Sequence, residues 1–258
     1  DGISDEDEGV SDNDGDGIPD YRDNNEDTTL LPLSEGVSLQ TETGIKLTLG
    51  KTAIAAKGLA VESASIELDD LSKFGSELGQ VIDNAEDSDF VFISDIVDFE
   101  LSELPKVGMA VSVVIPMPVN VTIPESAVYR KFNANIGWVD FVEDSENIIA
   151  SAPLTVSDEC PDILSSAYVV GLATGNSCIR LTIVDGGPND QDEEANGIIQ
   201  DPGVIAIKKV NIVNNIPSVT IDAHASTVNE GTSISLSALG LDADDDTLNY
   251  LWEWVSGP

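Results

Sequence analysis

Two apolar runs fill most of the stretch from residue 96 to residue 115, namely Ile96-Val97-Asp98-Phe99-Glu100-Leu101 and Met109-Ala110-Val111-Ser112-Val113-Val114-Ile115. Both runs are rich in β-branched and aromatic residues, which favour strands. Pro105 lies between the runs and Pro116 follows the second. Proline is confined to strand ends and edges because it has no backbone N–H to donate. The stretch therefore predicts two consecutive strands.

Similar runs continue on both sides, so that at least eight strands are predicted between residues 35 and 185. Turn signals recur at short intervals among them, which is typical of an antiparallel β-sandwich or jelly roll and not of βαβ units. The further runs are 37–41, 45–49, 90–93, 127–132, 136–142, 167–172 and 178–184.

Two local features are predicted within this series. The alternating runs 37–41 and 45–49 flank Thr43-Gly44, which indicates a hairpin. The apolar residues Leu71, Phe74, Leu78 and Val81 follow one another at spacings of three and four. This spacing predicts a short helix or helical turn between Asp69 and Gly79.

An acidic stretch precedes the strands, with the sequence Asp12-Asn13-Asp14-Gly15-Asp16-Gly17-Ile18-Pro19-Asp20-Tyr21-Arg22-Asp23. Its oxygens fall at loop positions 1, 3 and 5, its glycine at 6 and a backbone carbonyl at 7, as in a calcium-binding loop. The alternative is a solvated acidic linker. The predicted calcium ligands are Asp12, Asp14, Asp16, the carbonyl of Ile18, Asp20 and Asp23.

The residues before this loop repeat its second half at an offset of 15 residues, with Asp1 and Asp5 aligned to Asp16 and Asp20. The tandem pattern resembles thrombospondin type 3 repeats over roughly residues 1–25. That resemblance implies a calcium-wrapped segment of an extracellular protein, with Asp1 and Asp5 as further ligands. The segment has no cysteines, so metal alone would hold it. The first unit is cut in half, and we therefore expect residues before Asp1.

The charge balance excludes some classes of partner. The chain has 11 Lys plus Arg against 48 Asp plus Glu, for a net charge of −37. Such a chain repels nucleic acids and anionic membranes and attracts divalent cations. No apolar stretch is long enough to span a membrane. We expect no nucleic-acid partner and no membrane insertion.

Cysteine and histidine usage argues against catalysis and zinc. Cys160 and Cys178 lie 18 positions apart, and a disulfide is favoured if the chain functions outside the cell. Such a bond is worth about 3 kcal/mol by the loop-entropy relation. The single histidine, His224, is distant in sequence from both cysteines, so a Cys/His metal site or catalytic pair is disfavoured. We expect no enzymatic activity.

Several motifs in the central part follow one another in the order of a known family. They are Tyr129-Arg130-Lys131-Phe132, Gly137-Trp138-Val139-Asp140-Phe141, Cys160-Pro161, Cys178-Ile179-Arg180-Leu181, Asp185-Gly186-Gly187-Pro188-Asn189-Asp190 and Ala195-Asn196-Gly197. Residues 45–206 resemble the choice-of-anchor U domain of bacterial secreted and surface proteins. The resemblance implies an exported protein of a Gram-negative bacterium and no particular reaction.

Two further acidic segments are candidate calcium sites. Near the end of the central domain, residues with side-chain oxygens recur at the ligand positions of a calcium-binding loop, although Ala195 replaces the expected glycine. A solvated hairpin tip is the alternative there. The predicted ligands of this site are Asp190, Asp192, Glu194, Asn196 and Asp201, with Asp185 as an addition. In the C-terminal segment, Glu230, Asp242, Asp244 and Asp246 are candidate ligands of an interdomain calcium, and a plain acidic turn is equally open.

The C-terminal segment resembles the first half of a PKD or cadherin-like immunoglobulin-type domain. About four strands cannot close a sandwich alone, so we expect either more chain or a strand from a neighbour. The predicted domains are a calcium-binding repeat segment (1–27), an all-β, antiparallel sandwich domain (28–210) and a partial immunoglobulin-like domain (211–258).

The function predicted from the sequence is that of a calcium-binding structural or adhesive module of a bacterial surface protein, in which calcium rigidifies acidic segments between β domains. Its expected partners are calcium ions, other copies of the chain and other surface proteins. One alternative is a filament subunit assembled by strand addition or calcium-bridged contacts. Another is a carbohydrate-binding sandwich that stacks sugar on Trp138 or Tyr168, although both residues are better explained as core.

Overall fold

The computed structural model of the chain forms two units, which divide between Lys209 and Val210. No helix in the described part of the chain is both long and apolar enough to cross a membrane. The structure describes residues 11–23, 25–34, 36–71, 86–133, 136–209, 215–222, 227, 229–244 and 247–253.

The regular secondary structure of the first unit consists mainly of strands. Its helical elements include α1 (Lys51–Lys57), a 3-10 turn (Gly58–Ala60) and a helical turn at residues 68–71. The strands are β1 (Leu30–Ser34), β2 (Val37–Thr41), β3 (Lys46–Leu49), β4 (Ser65–Ile66), β5 (Phe90–Phe92), β6 (Ile96–Ser102), β7 (Ala110–Pro116), β8 (Ala127–Asn133), β9 (Gly137–Asp140), β10 (Ile148–Ala152), β11 (Val169–Val170), β12 (Cys178–Val184) and β13 (Ile199–Lys208).

These strands form two antiparallel sheets. The first sheet has the order β1-β2-β7-β12-β10-β11, and the second has the order β3-β6-β13-β8-β9. In the second sheet, β4 also pairs with β6 and β5 with β13. The prediction of an all-β, antiparallel sandwich is confirmed.

The core lies between the two sheets because alternate residues of each strand point inward. In β12 of the first sheet, Ile179, Leu181 and Ile183 are fully buried. Phe99 and Leu101 of β6 meet them from the second sheet in the same apolar cluster. Each such side chain contributes about 1.5–3 kcal/mol of hydrophobic stabilisation.

The hairpin predicted from Thr43-Gly44 is wrong. Strand β2 pairs with β1 and β7 in the first sheet, whereas β3 pairs with β6 in the second. The turn that follows Glu42 therefore carries the chain from one sheet to the other. Both strands bury alternate residues in the shared core, including Leu39 and Leu47. The alternation is the same for either pairing, so it cannot distinguish a hairpin from a crossover.

The helix predicted between Asp69 and Gly79 is described only at its beginning, since residues 72–85 lie outside the described part.

Helix α1 was not predicted from the sequence. Its first turn is held by a distant residue: the Ala53 N–H donates to Oδ2 of Asp98 at 2.8 Å. Burial raises the pKa of Asp98 to about 6.

The predicted disulfide is present. Cys160 and Cys178 are bonded, with their Cα atoms 5.6 Å apart. Cys178 is the first residue of β12, and Cys160 lies in the loop that follows β10. The bond therefore ties this loop to the centre of the first sheet.

The described part of the second unit contains one antiparallel pair, β14 (Ser218–Ile221) and β15 (Ala238–Leu241). Both strands leave large apolar side chains more than half exposed, among them Val219 and Leu239. His224 lies outside the described residues. The resemblance to half of an immunoglobulin-type domain stays a prediction.

Candidate metal centre

The acidic loop brings three of its predicted ligands together. Carboxylate oxygens of Asp12, Asp14 and Asp16 lie within 4.8 Å of one another, and no other such group occurs among the described residues. Gly15 and Gly17 have φ angles of +68° and +99°, which glycine adopts without the strain that a side chain would cause. These two positions turn the chain so that alternate side chains converge.

Hydrogen bonds within the loop use some of the carboxylate oxygens and leave others. The two oxygens of Asp12 accept from the N–H groups of Asp16 and Gly17, at 3.1 and 3.0 Å. Oδ1 of Asp14 accepts from the Asp16 N–H, and Oδ1 of Asp16 accepts from the Ile18 N–H at 2.7 Å. In the described part of the chain, Oδ2 of Asp14 and Oδ2 of Asp16 are buried without any hydrogen-bond partner.

Two buried carboxylate oxygens without partners destabilise the fold, because each has lost its hydrogen bonds to water and forms no other hydrogen bond instead. Native structures satisfy almost all such atoms with protein, water or an ion. The unpaired oxygens belong to Asp14 and Asp16, which are two of the three converging residues. The donor set consists of hard oxygens, which suits calcium.

The charges in the loop reinforce this conclusion. Burial raises the pKa of Asp14 to about 6 and that of Asp16 to about 7, and repulsion from Asp12 and Asp23 adds to both effects. Burial likewise raises the pKa of Asp23. Among the described residues, no ion pair includes any of these four aspartates. The loop therefore concentrates negative charge that a cation would neutralise.

The positively charged side chains of Arg22 and Lys46 lie near the loop but have other contacts. Arg22 pairs with Glu62 and lies over the ring of Tyr21. Lys46 places Nζ beside Gly15, only 2.6 Å from where a Cβ on that glycine would lie. The ammonium therefore lies against the backbone of the loop and forms no ion pair with its carboxylates within the described residues.

The loop is fixed to the sandwich. The Leu49 N–H, at the end of β3, donates to the carbonyl of Asp16 at 2.7 Å. Ile18 is 1% exposed and belongs to the main apolar core. A Cβ on Gly17 would lie 3.2 Å from the Leu49 side chain, so backbone and strand are closely packed. The position of the carboxylates thus depends on the second sheet.

The last two predicted ligands have additional contacts. Oδ1 of Asp20 accepts from the Asn13 N–H at 2.8 Å, and the Asp20 N–H donates to the carbonyl of Ser11 at 2.7 Å. These bonds close the loop on itself. Oδ1 of Asp23 accepts from the Asn25 N–H, and this carboxylate is 8% exposed. Asp1 and Asp5 lie outside the described residues.

The raised pKa values predict a pH dependence of the calcium-free protein. An unfolded aspartate has a pKa of about 4, so the folded loop holds protons that the unfolded chain has released. The free energy of unfolding should therefore fall as the pH rises from about 4 to about 7. Urea unfolding in calcium-free buffer at several pH values measures this fall. Asp16→Asn should reduce it, and an unchanged slope in that variant would contradict the assignment.

The second predicted site has a different arrangement. Oδ2 of Asp185 accepts from the N–H groups of Gly108 and Gly197 at 2.7 and 2.9 Å. The two oxygens of Asp190 accept from the N–H groups of Gly186 and Gln200. Burial raises the pKa of Asp190 to about 6. These two buried carboxylates therefore already hold the backbone of the turn.

The remaining members of this set do not converge with them. Oδ1 of Asp192 accepts from the N–H of Glu194, and its Oδ2 accepts from the side-chain amide of Asn196. Glu194 and Asn196 are exposed. Asp201 is fully buried in an ion pair with Lys131. The structure therefore does not gather these oxygens around one point.

The third predicted site is described only in part, because Asp246 lies outside the described residues. Oδ1 of Asp244 accepts from the side-chain amide of Asn215 at 2.9 Å, and Oδ1 of Asp242 accepts from the Asp244 N–H at 2.8 Å. Glu230 is exposed. No converging group of these carboxylates occurs within the described residues.

The two aromatic residues that are candidate sugar platforms both pack against other side chains. Tyr168 is 8% exposed, and the guanidinium of Arg180 lies over its ring at 4.6 Å. Trp138 is half-buried and packs edge-on against Phe92 and Phe132, with ring centroids 4.7 and 5.2 Å away. Both rings have packing roles.

Sequence reasoning missed two buried ion pairs on β8. Arg130 pairs with Asp87 through Nε at 2.8 Å and also with Asp140. Lys131 pairs with Asp201. The sequence signal for these ion pairs was the presence of two adjacent cations in a strand-forming run of a chain that has few cations.

Comparison of the chain with protein-family models, curated proteins and solved structures finds no match.

Proposed function

We propose that the chain is a calcium-binding extracellular module with a structural or adhesive role in a bacterial surface protein. The observation that carries the proposal is the convergence of Asp12, Asp14 and Asp16, with two buried oxygens that lack partners. Calcium satisfies such oxygens and neutralises their charge in one step. The disulfide supports an oxidising compartment.

The proposed role of the ion is mechanical. The loop is joined to the second sheet by the Asp16 carbonyl and by the side chain of Ile18. An ion held by Asp12, Asp14, Asp16 and the Ile18 carbonyl, with Asp20 and Asp23 nearby, stiffens the acidic segment where it enters the sandwich. Binding is coupled to folding because the unfolded chain has no preformed site. No step of this role requires a reaction.

The proposal predicts that Asp16→Asn weakens calcium binding at least about tenfold, because affinity depends on the number of charged ligands. Asn retains the size of the side chain and removes the charge. Isothermal titration calorimetry with calcium measures the change. Asp158→Asn is the matched control, since Asp158 is exposed and lies near the disulfide. Equal affinity of the Asp16→Asn variant and the unmodified protein would contradict the proposal.

A second candidate function is that of a filament subunit, and the exposed strands of the second unit favour it. Val219, Ile221, Leu239 and Leu241 are each 57–64% exposed on a two-stranded sheet. Such a pair is marginal alone and gains stability when its apolar side chains are covered. Sedimentation velocity over a range of concentrations tests this candidate, which predicts growing assemblies that Val219→Asp abolishes. A single monomeric species at every concentration would contradict it.

A further inference from the structure

A buried amine and a buried carboxylate meet between the two sheets. Lys131 on β8 is 4% exposed and Asp201 on β13 is 0% exposed, and Nζ of Lys131 contacts Oδ1 of Asp201. Lys131 lies opposite Gly203 in the register of the two strands. Asp201 is two residues from Gly203 and therefore projects from the same face of the sheet.

This face is turned toward the first sheet. Tyr129, which shares it, lines a small cavity of about 70 Å³ together with Ile115 and Ile179 of the first sheet. The pair of Lys131 and Asp201 therefore lies in the core of the sandwich and not on its outer surface. Among the described residues, Asp201 is the one hydrogen-bond partner of Lys131 Nζ.

Ion pairs are poorly stabilised in such surroundings. Desolvation of two charges costs more than their attraction returns unless further hydrogen bonds complete the site. Transfer of one proton from the ammonium to the carboxylate would remove both charges and leave an amine in contact with a carboxylic acid. Burial raises the pKa of Asp201 in spite of the opposing effect of Lys131, which favours the protonated acid.

We propose that Lys131 and Asp201 condense into an amide crosslink between β8 and β13. The neutral Nζ attacks Cγ of Asp201, and the Nζ–Cγ bond forms. One Cγ–O bond breaks, and its oxygen leaves as water with the hydrogen of the acid and one hydrogen of the amine. The products are one secondary amide and one water molecule, so that the step needs no oxidant, reductant or cofactor.

The surroundings favour this step in two ways. The two strands hold amine and carboxyl in contact, and such positioning replaces a bimolecular encounter with an intramolecular one. The Tyr129 hydroxyl donates to Oδ2 of Asp201 at 3.4 Å, where negative charge develops during attack. Gly203 makes room for that hydroxyl, since a Cβ there would lie 2.3 Å from it.

The crosslink joins residues that are 70 positions apart. It would connect two neighbouring strands of the second sheet. Bulk water would have little access to the bond, because both residues are almost fully buried. The disulfide acts on the first sheet, so the two covalent bonds would restrain different sheets. The crosslink is independent of calcium binding.

Intact-mass measurement of the purified full chain, reduced and denatured, tests the proposal. The expected mass is lower than that of the sequence by one water molecule. Proteolysis should release a branched peptide in which Lys131 is joined to Asp201. The full sequence mass, with the two residues on separate peptides, would overturn the proposal.

A second source of water loss is controlled by a variant. Asp-Gly pairs such as Asp14-Gly15 and Asp185-Gly186 also lose one water when they cyclise to a succinimide. Lys131→Arg keeps the positive charge, but its guanidinium stays protonated and does not attack the carboxyl. This variant should show the full sequence mass. A deficit that persists in Lys131→Arg, or that maps to an Asp-Gly pair in the unmodified chain, would overturn the proposal.

Discussion

Replacement of Ile18 by alanine should lower the free energy of unfolding of the first unit by about 2–5 kcal/mol, the range for a large aliphatic residue removed from a packed core. Ile18 is 1% exposed and lies in the main apolar cluster, although it belongs to the acidic loop. The substitution removes apolar contacts and leaves a cavity beneath the carboxylates. Urea unfolding followed by circular dichroism, in saturating calcium, measures the loss.

The matched control for this prediction is Ile54→Ala. Ile54 lies on α1 and is 46% exposed, so the same change there removes little buried surface. The Ile18 variant should also bind calcium more weakly, because the loop loses its apolar anchor while its carboxylates are unchanged. Loss of stability no greater than that of Ile54→Ala would show that the loop is not part of the core.

Removal of calcium should destabilise the first unit by about 2.7 kcal/mol when compared with a free calcium concentration of 100 times Kd. For a unit of this size the midpoint of thermal unfolding should fall by about 5–10 °C. The physical cause is the return of unpaired charge on Asp14, Asp16 and their neighbours. Thermal unfolding in chelator and in calcium, at constant ionic strength, measures the shift.

A specific site must be distinguished from general screening, because a chain with a net charge of −37 gains stability from any salt. Magnesium at the same concentration is the first control, since its small size and octahedral preference suit this loop less well. Asp16→Asn in calcium is the second. If magnesium or the Asp16→Asn variant gave the full shift, the stabilisation would be diffuse and the assigned site would be wrong.

Alternating and β-branched runs were sufficient to predict the strands in β6, β7, β8 and β12, because one or both faces of these strands are buried. The offsets of carboxylates and glycine predicted that Asp12, Asp14 and Asp16 converge, since the turns that bring these three residues together form within the loop itself. Asp12, Asp14 and Asp16 are all within five residues of one another.

Features that depend on distant residues could not be predicted in this way. In the first turn of helix α1, the Ala53 N–H donates a hydrogen bond to the carboxylate of Asp98, 45 positions away. The choice of sheet for β2 and β3 depends on β7 and β6. Asp201 fits a calcium-loop spacing in the sequence, but its carboxylate forms an ion pair with Lys131 on the neighbouring strand, β8. Local spacing contains no information about such partners.

An anomalous-difference map from crystals grown in calcium, with data collected at long wavelength, would locate the ion itself. We expect a calcium peak about 2.3–2.6 Å from carboxylate oxygens of Asp12, Asp14 and Asp16 and from the Ile18 carbonyl. An ordered loop without a peak, in crystals that contain calcium, would show that the loop is not a calcium site.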